Sequence, residues 1–476
     1  MRDLVKKLLE CLVKFKLFST AFAFLTLSFL FSGETLAQES GEVRYALRGT
    51  LLTPDGVIKD GTILISGKKI EAVGADVKLS RMIPVFDTGG IICPGFIDLH
   101  NHLTWNVFPR WKAGRKFPNR YEWQQVAEYK MALDGPHRTL IAQGLGKAMA
   151  RYTEVKALSG GATSLAGLYS EDLLPEERTN YHGLIRMLEL SSGFYPDGTP
   201  EKIRYEVFPL TMMESYAGQI RRDLESHVLK SLLIHLGEGS PVDASSILEF
   251  KILKARGFLL PGVSLIHGVA LHAPEFAEMS KVGMGLVWSP RSNFELYGAT
   301  ADVAAAHVAG IKIALAPDWS PSGSDGVIEE LKYAAVWNDS LPTPLFSDAD
   351  LVRMATINAA QLAGVEDKVG SLKSGLYADL LVIKKAGSDP YHALVHADPT
   401  DIEMVVVGGQ PIYGEPDFTK KVAPQVSWQA VMVGSTAKAV TFPSATSQQP
   451  WTETMATLRG ALTSLGTHLG ALVEDK

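Results

Sequence analysis

Two histidines two residues apart, His100 and His102, follow the apolar run Gly90 to Ile97 through Asp98 and Leu99. A β-strand turns alternate side chains to the same face, so this pair is expected to project together from a strand over residues 91–98 and offer two imidazoles to one metal ion. Three later apolar runs also close on a metal-competent residue: Leu232-Leu233-Ile234-His235, Val263-Ser264-Leu265-Ile266-His267, and Ile311 to Pro317 followed by Asp318. Three of these four imidazoles and the one carboxylate, brought together, suit a single divalent transition metal, zinc first, with iron or manganese also compatible.

Residues so far apart in the chain meet only if the fold gathers strand ends. Short apolar runs separated by helical-looking segments are what a parallel sheet buried on both faces produces. In a (β/α)8 TIM-type barrel the carboxyl ends of all strands converge on one face. We therefore expect an α/β fold with barrel strands near 91–98, 161–167, 183–189, 204–210, 231–235, 263–267, 283–289 and 311–317, within a barrel spanning 90–364. Short alternating runs broken by turn residues, as in Val43 to Arg48 and Gly61 to Ser66, read as a separate β-element over 42–89. A matching set over 365–415, including Leu380 to Ile383 and Ile402 to Gly409, is expected to complete it as one small β-sandwich. The segment 105–159 exceeds an ordinary connection, and Trp105, Trp111, Tyr121, Trp123 and Tyr129 suit either a helical insertion over the site or simply that insertion's own core. The tail 416–476 ends in helical spacing through Met455, Leu458, Leu462, Leu465 and Leu469, suited to capping the domain or to self-association in a homo-oligomer.

These motifs, in this order, resemble the amidohydrolase superfamily, specifically its single-metal branch of cytosine deaminase-like, triazine hydrolase-like and imidazolonepropionase-like enzymes. Pro94 to His102 resembles that branch's first-strand motif and His235-Leu236-Gly237-Glu238 its fifth-strand His-x-x-Glu. His267-Gly268-Val269, Trp288 to Asn293 and Asp318-Trp319 are similar to the sixth, seventh and eighth strand motifs, and Met354 to Ala360 with Gly370 to Leu380 to the closing helix and the return to the β-element. The resemblance implies a metal held by His100, His102, His235 and Asp318, and hydrolysis of a non-peptide carbon-nitrogen bond by metal-bound hydroxide, as ring opening of a cyclic amide or amidine or deamination of a heterocycle.

Around that set Asp318 is suited to accept the water's proton, Glu238 to protonate a leaving or ring nitrogen, and His267 to hydrogen-bond the substrate oxygen or the attacking hydroxide, where charge develops. Asn293, Arg291, Trp105 and Trp319 stand near the expected mouth as candidate contacts to a small-molecule substrate. Val207 to Thr211 offers no lysine at the end of the fourth strand, which disfavours a carboxylated-lysine, two-metal site. Ser289-Pro290 stands where deaminases of the branch often carry Cys-Pro, so hydrolysis in general is better supported than deamination. The rival readings are a two-metal peptidase or lactonase of the same superfamily and a catalytically silent small-molecule binder.

Composition fits a globular enzyme: 476 residues, 46% hydrophobic and 21% charged, with a formal net charge of -6 and no basic, aromatic-interleaved patch that would indicate nucleic acid. Lys6, Lys7, Lys14 and Lys16 precede an uncharged run from Leu17 to Phe31, and Thr35-Leu36-Ala37 supplies small residues for cleavage, so 1–37 reads as a signal peptide of an exported, periplasmic or secreted protein. Uncleaved, the segment would act as a membrane anchor; cleaved, it leaves no stable membrane association and Cys93 as the one cysteine, with no internal disulfide.

Overall fold

In the computed structural model the described residues are 43–168, 172–173, 177–178, 181–190, 193–195, 199, 201–442 and 450–474; the expected signal peptide lies outside them. Residues from both ends of the chain build one nine-stranded sheet. Its strands are β1 (Arg44–Thr53), β2 (Gly56–Ser66), β3 (Lys69–Gly74) and β4 (Val85–Pro94) from the amino-terminal side. Eight strands of a second system follow: β5 (Phe96–Asp98), β6 (Ala162–Leu165), β7 (Arg186–Met187), β8 (Ile203–Glu206), β9 (Ser231–Leu236), β10 (Val263–His267), β11 (Gly285–Trp288) and β12 (Lys312–Leu315). The nine-stranded sheet is completed by β13 (Leu380–Ile383), β14 (Ile402–Val407), β15 (Gln410–Gly414), β16 (Trp428–Val433) and β17 (Thr436–Thr441). Its order is β16-β17-β15-β14-β13-β4-β1-β2-β3, so β4 and β13 join the two ends of the chain in register Ile91↔Ile383 to Pro94↔Leu380.

The eight inner strands pair in parallel as two sheets, β5-β6-β7 and β8-β9-β10-β11-β12. Every residue of β9 and β10 is buried, as strands covered on both faces require. One buried cluster draws Ile97, Leu233, Ile266, Val287 and Ala314, hence strands of both sheets, onto Ala359 and Ala360 of the helix Ile357–Ala363. Helices alternate with the strands: Ala244–Ala255, Ala273–Lys281 and Val303–Val308 separate β9 to β12, and Val327–Asp339 follows β12. The first of these starts where Asp243 accepts the Ser246 N–H at 2.8 Å and stops at Gly257, whose φ of 78° an L side chain would resist.

Three expectations are corrected. The run 90–98 is not one barrel strand: the chain changes sheets at Gly95, so 90–94 belongs to the outer sheet and only Phe96–Asp98 to the inner. A Cβ at Gly95 would lie 2.2 Å from Thr163 Cγ2, so only glycine lets the chain cross this close to β6. The strand expected at 204–210 ends at Glu206, because Pro209 opens the helix Pro209–Ser215. The tail holds more sheet than expected, since β16 and β17 add a hairpin to the outer sheet before the terminal helix Trp451–Ser464.

The long segment after β5 is helical, ending in Gly146–Ser159. The chain's last described residues are fastened beneath it: Gly470 N–H donates to Val107 C=O at 2.8 Å and Lys156 Nζ to Ala471 C=O at 2.9 Å.

Candidate metal centre

His100 and His102 stand in the turn just after β5 rather than on the strand. Their rings nevertheless meet, Nε2 to Nε2 at 3.4 Å, because Asp98 accepts the His100 N–H at 3.0 Å and the Asn101 Nδ2–H at 2.8 Å and so shapes the turn. His235, on β9, brings its Nε2 to 3.1 Å from that of His100. Asp318, just past β12, holds Oδ1 at 3.0 Å from both His100 Nε2 and His102 Nε2. His267 ends β10 with Nε2 at 4.0 Å from Asp318 Oδ2 and 3.6 Å from Glu238 Oε2. His267 and Asp318 both carry positive φ, 71° and 67°, conformations that cost non-glycine residues about 1–3 kcal/mol and persist where surrounding structure enforces them.

The hydrogen bonds behind these rings decide what faces inward. His235 Nδ1–H donates to the Glu206 carbonyl at 2.9 Å, so a neutral ring presents a lone pair on Nε2. Asn293 donates its Nδ2–H to Thr300 Oγ1 at 3.2 Å, which turns Oδ1 toward His267 Nδ1 at 2.8 Å and leaves that ring's Nε2 as an acceptor. His100 Nδ1 lies 2.7 Å from Ser289 Oγ, and Ser292 Oγ donates to Asp318 Oδ2 at 2.5 Å.

Burial pushes His100 down to about 4, against the attraction of Asp318, and holds His235 well below the usual imidazole range, helped by the neighbouring rings. Burial opposes ionisation of Asp318, yet His100 and His102 outweigh it and hold the carboxyl well below the usual carboxylate range. His100 and His235 are therefore buried, neutral imidazoles whose Nε2 atoms face each other, His100 also meeting the Asp318 carboxylate. Lone pairs 3.1 Å apart repel unless a cation lies between them, and ligands bonded at about 2.0–2.1 Å to one ion stand roughly 3.3 Å from each other. His100, His102, His235 and Asp318 thus fit one divalent transition metal on their own geometry.

Glu238 is held by groups that the sequence did not single out. Tyr297 OH donates to its Oε1 at 2.6 Å, and the buried Arg120 places Nη1 at 3.0 Å from Oε2. That Nη1 makes no aligned hydrogen bond, so charge rather than direction supplies the contact, while the Arg120 N–H donates to the Glu238 C=O at 3.1 Å. Trp123 Nε1–H in turn fixes Tyr297 OH at 2.9 Å. The end of the fourth inner strand carries no lysine: Glu206 is taken up by Arg204, with Nε at 2.5 Å, and by Tyr216, with OH at 3.0 Å.

A pocket of about 920 Å³ opens above these groups. Trp105, Trp123, Tyr129 and Trp319 form its aromatic side, with ring centroids of the first three 5.6–6.3 Å from that of Trp319. The insertion therefore lies over the site: Trp105, Trp123 and Tyr129 serve both its packing and the pocket wall, whereas Trp111 is core alone and Tyr121 donates its OH to Glu249. Trp105 stacks on His137 at 3.8 Å, and burial pushes that histidine down to about 3. Trp105 and Trp319 line the pocket as expected candidates, whereas Asn293 and Arg291 do not. Asn293 orients His267 from behind; Arg291 donates its backbone N–H to Glu330 at 3.0 Å and its Nη1–H to Ser324 Oγ at 3.5 Å.

Comparison with known proteins gives this arrangement a lineage. Residues 217–412 match the amidohydrolase family. The chain carries an amidohydrolase family domain. Over 388 residues the chain is 25% identical to a 5-methylthioadenosine/S-adenosylhomocysteine deaminase of Thermococcus onnurineus, covering 73% of this chain and 88% of the relative. It is 24% identical over 406 residues to a 5'-deoxyadenosine deaminase of Methanosarcina mazei, covering 75% and 89%. Its fold matches a mutant atrazine chlorohydrolase from Arthrobacter aurescens complexed with zinc, at TM-score 0.62, 22% identity and coverage of 77% and 95%. An adenosine deaminase from Xanthomonas campestris with bound zinc superposes at TM-score 0.61, 16% identity and coverage of 78% and 92%.

Proposed function

We propose that this amidohydrolase hydrolyses a carbon-nitrogen bond of a small, amino-substituted, nitrogen-rich heterocycle, releasing ammonia. One observation carries the reading: Asp318, in contact with the imidazoles of His100 and His102, faces Glu238 and His267 across one pocket. The names of the relatives, deaminases of adenine-type compounds, support the substrate class. They favour deamination over ring opening despite Ser289-Pro290.

A divalent ion, zinc by preference, held by His100, His102, His235 and Asp318 would supply Lewis acidity and lower the pKa of a water. The residues perform the proton work. Asp318 Oδ2, hydrogen-bonded to Ser292, is placed to accept the proton of the attacking water. Glu238, ion-paired with Arg120, relays one proton of the attacking water to the ring or leaving nitrogen, without which an amine departs poorly. Arg120 and Tyr297 fix its carboxyl group toward the pocket. His267, held by Asn293, presents Nε2 as an acceptor and is placed to hydrogen-bond and orient the attacking water. The aromatic wall of Trp105, Trp123 and Trp319 stacks on a planar ring and excludes water.

The cluster shared by both inner sheets supports closure of the eight strands into one barrel. The bulges in β1 and β14 similarly support folding of the outer sheet over itself as a sandwich. The lysine-rich, apolar start supports export, to be checked by amino-terminal sequencing of the mature protein.

The deciding experiment is ammonia release by the zinc-loaded enzyme from 5'-deoxyadenosine, methylthioadenosine, guanine and amino-triazines, beside dipeptides and lactones. Turnover of an aminated ring supports the reading. Turnover of dipeptides or lactones alone would replace it with the two-metal alternative, and binding without turnover would leave a silent binder.

A further inference from the structure

A second group of metal-competent side chains lies outside the barrel centre. The helix Pro390–Val395 is started by Asp389, whose side chain accepts the Tyr391 N–H at 2.9 Å, and it ends at His396. His392 and His396 are four residues apart, hence neighbours on one helical face, and their rings stand 4.3 Å from each other. The helix packs against Asp348–Met354, which presents Asp348 at its first position. Asp348 Oδ2 lies 3.0 Å from His392 Nδ1, and one ligand atom from each of Asp348, His392 and His396 falls within 4.8 Å of the other two. His396 Nε2 is buried with no hydrogen-bond partner, an arrangement that costs free energy unless the ring is otherwise engaged.

We propose that Asp348, His392 and His396 form a second, surface site for a borderline transition metal such as zinc or copper, separate from the barrel centre. Two imidazoles and one carboxylate select such ions over magnesium or calcium and leave a coordination position for water. The two helices belong to different parts of the fold. Asp348–Met354 packs on β12 of the inner strands, whereas Pro390–Val395 lies between β13 and β14 of the outer sheet. A bound ion therefore ties the helix Pro390–Val395 to the helix Asp348–Met354, and stability rises with metal concentration by mass action.

The test separates the two sites. The full chain carrying His100→Ala and His235→Ala is dialysed against zinc at micromolar free concentration and its metal content measured; one bound equivalent is expected, lost when His392→Ala is added. In parallel, copper is titrated onto zinc-loaded wild type and the electron paramagnetic resonance spectrum recorded, which requires no loss of the barrel ligands. Splitting from two imidazole nitrogens, absent in His392→Ala and in His396→Ala, is expected, together with a rise of a few degrees in Tm that both variants lose. No residual zinc in the first experiment, or copper binding unchanged by either substitution, would overturn the surface site. Zinc in wild type that disappears with His392→Ala but survives His235→Ala would instead refute the barrel centre while leaving this proposal standing.

Discussion

Replacing Arg120 by methionine keeps most of the side-chain volume and removes the charge that faces Glu238. The pair is 3.0 Å apart, with the two side chains only 2% and 4% exposed, so solvent screens it little. Breaking a buried ion pair from one side costs about 3–5 kcal/mol, because the partner remains charged and uncompensated. Tyr297, at 2.6 Å from the other oxygen, is then the one described side chain still hydrogen-bonded to the Glu238 carboxyl. Arg120→Met should therefore lower stability by about 3–5 kcal/mol, read from urea midpoints followed by tryptophan fluorescence. Its kcat should fall by about 10²–10⁴-fold as Glu238 loses its orientation. Adding Glu238→Gln removes the stranded charge, so the double variant should recover stability, with a coupling energy of about 0.5–3 kcal/mol. Two results refute the reasoning: a loss below about 1 kcal/mol for Arg120→Met, or strictly additive effects in the double variant.

Other expected outcomes follow from the same structure. Glu238→Gln should retain the metal while kcat falls by about 10²–10⁴-fold, and loss of metal, measured by elemental analysis, would make Glu238 a ligand. Asp318→Asn should abolish turnover, since it removes both a ligand and the proton acceptor; an intact rate would sink that role. Glu154 is fully buried, and burial pushes it up to about 7 against the hydrogen bond from Tyr181. A carboxyl raised on folding stabilises below its unfolded value of about 4.3 and loses that contribution as pH climbs through the folded value, a swing of at most about 3–4 kcal/mol. Glu154→Gln should thus gain stability relative to wild type between pH 5 and pH 8, and a difference in Tm independent of pH would contradict this.

Which features could be read from residues alone follows from the range of the interactions that set them. His235 and His267 announce themselves because strands buried on both faces must be continuously apolar, so a polar residue closing such a run is conspicuous. The same logic misplaces the first strand. Gly90 to Ile97 is one apolar run shared by two sheets; Pro94-Gly95 punctuates it, but the close approach of Gly95 to Thr163 is something nothing local reveals. The two-residue β7 leaves no periodicity to detect, and the β16–β17 hairpin was hidden in what read as a tail, although Gly434, with φ 55°, marks its turn. Arg120 had no signal at all, because an arginine in an aromatic insertion reads as solvated until the fold lays it on Glu238. Asn293 lies in the helix Pro290–Tyr297 that follows β11, and only its hydrogen bonds, donated to Thr300 and shared with His267 Nδ1, show that it orients His267 rather than meeting substrate.

The pairing of β4 with β13 also sets a timetable for synthesis. Ile91 to Pro94 wait for Ile383 to Leu380, so a chain emerging from the ribosome holds one fully apolar strand edge open until nearly the whole inner-strand system has been made. The turn that carries His100 and His102 hangs from that same strand through Gly95. Nascent chains consequently carry an unpaired edge for most of their elongation, the stage at which strands recruit neighbours. Slower elongation after residue 94 should aggravate inclusion-body formation, whereas a peptide spanning β13 and β14, supplied during refolding, would compete for the edge and raise the soluble yield.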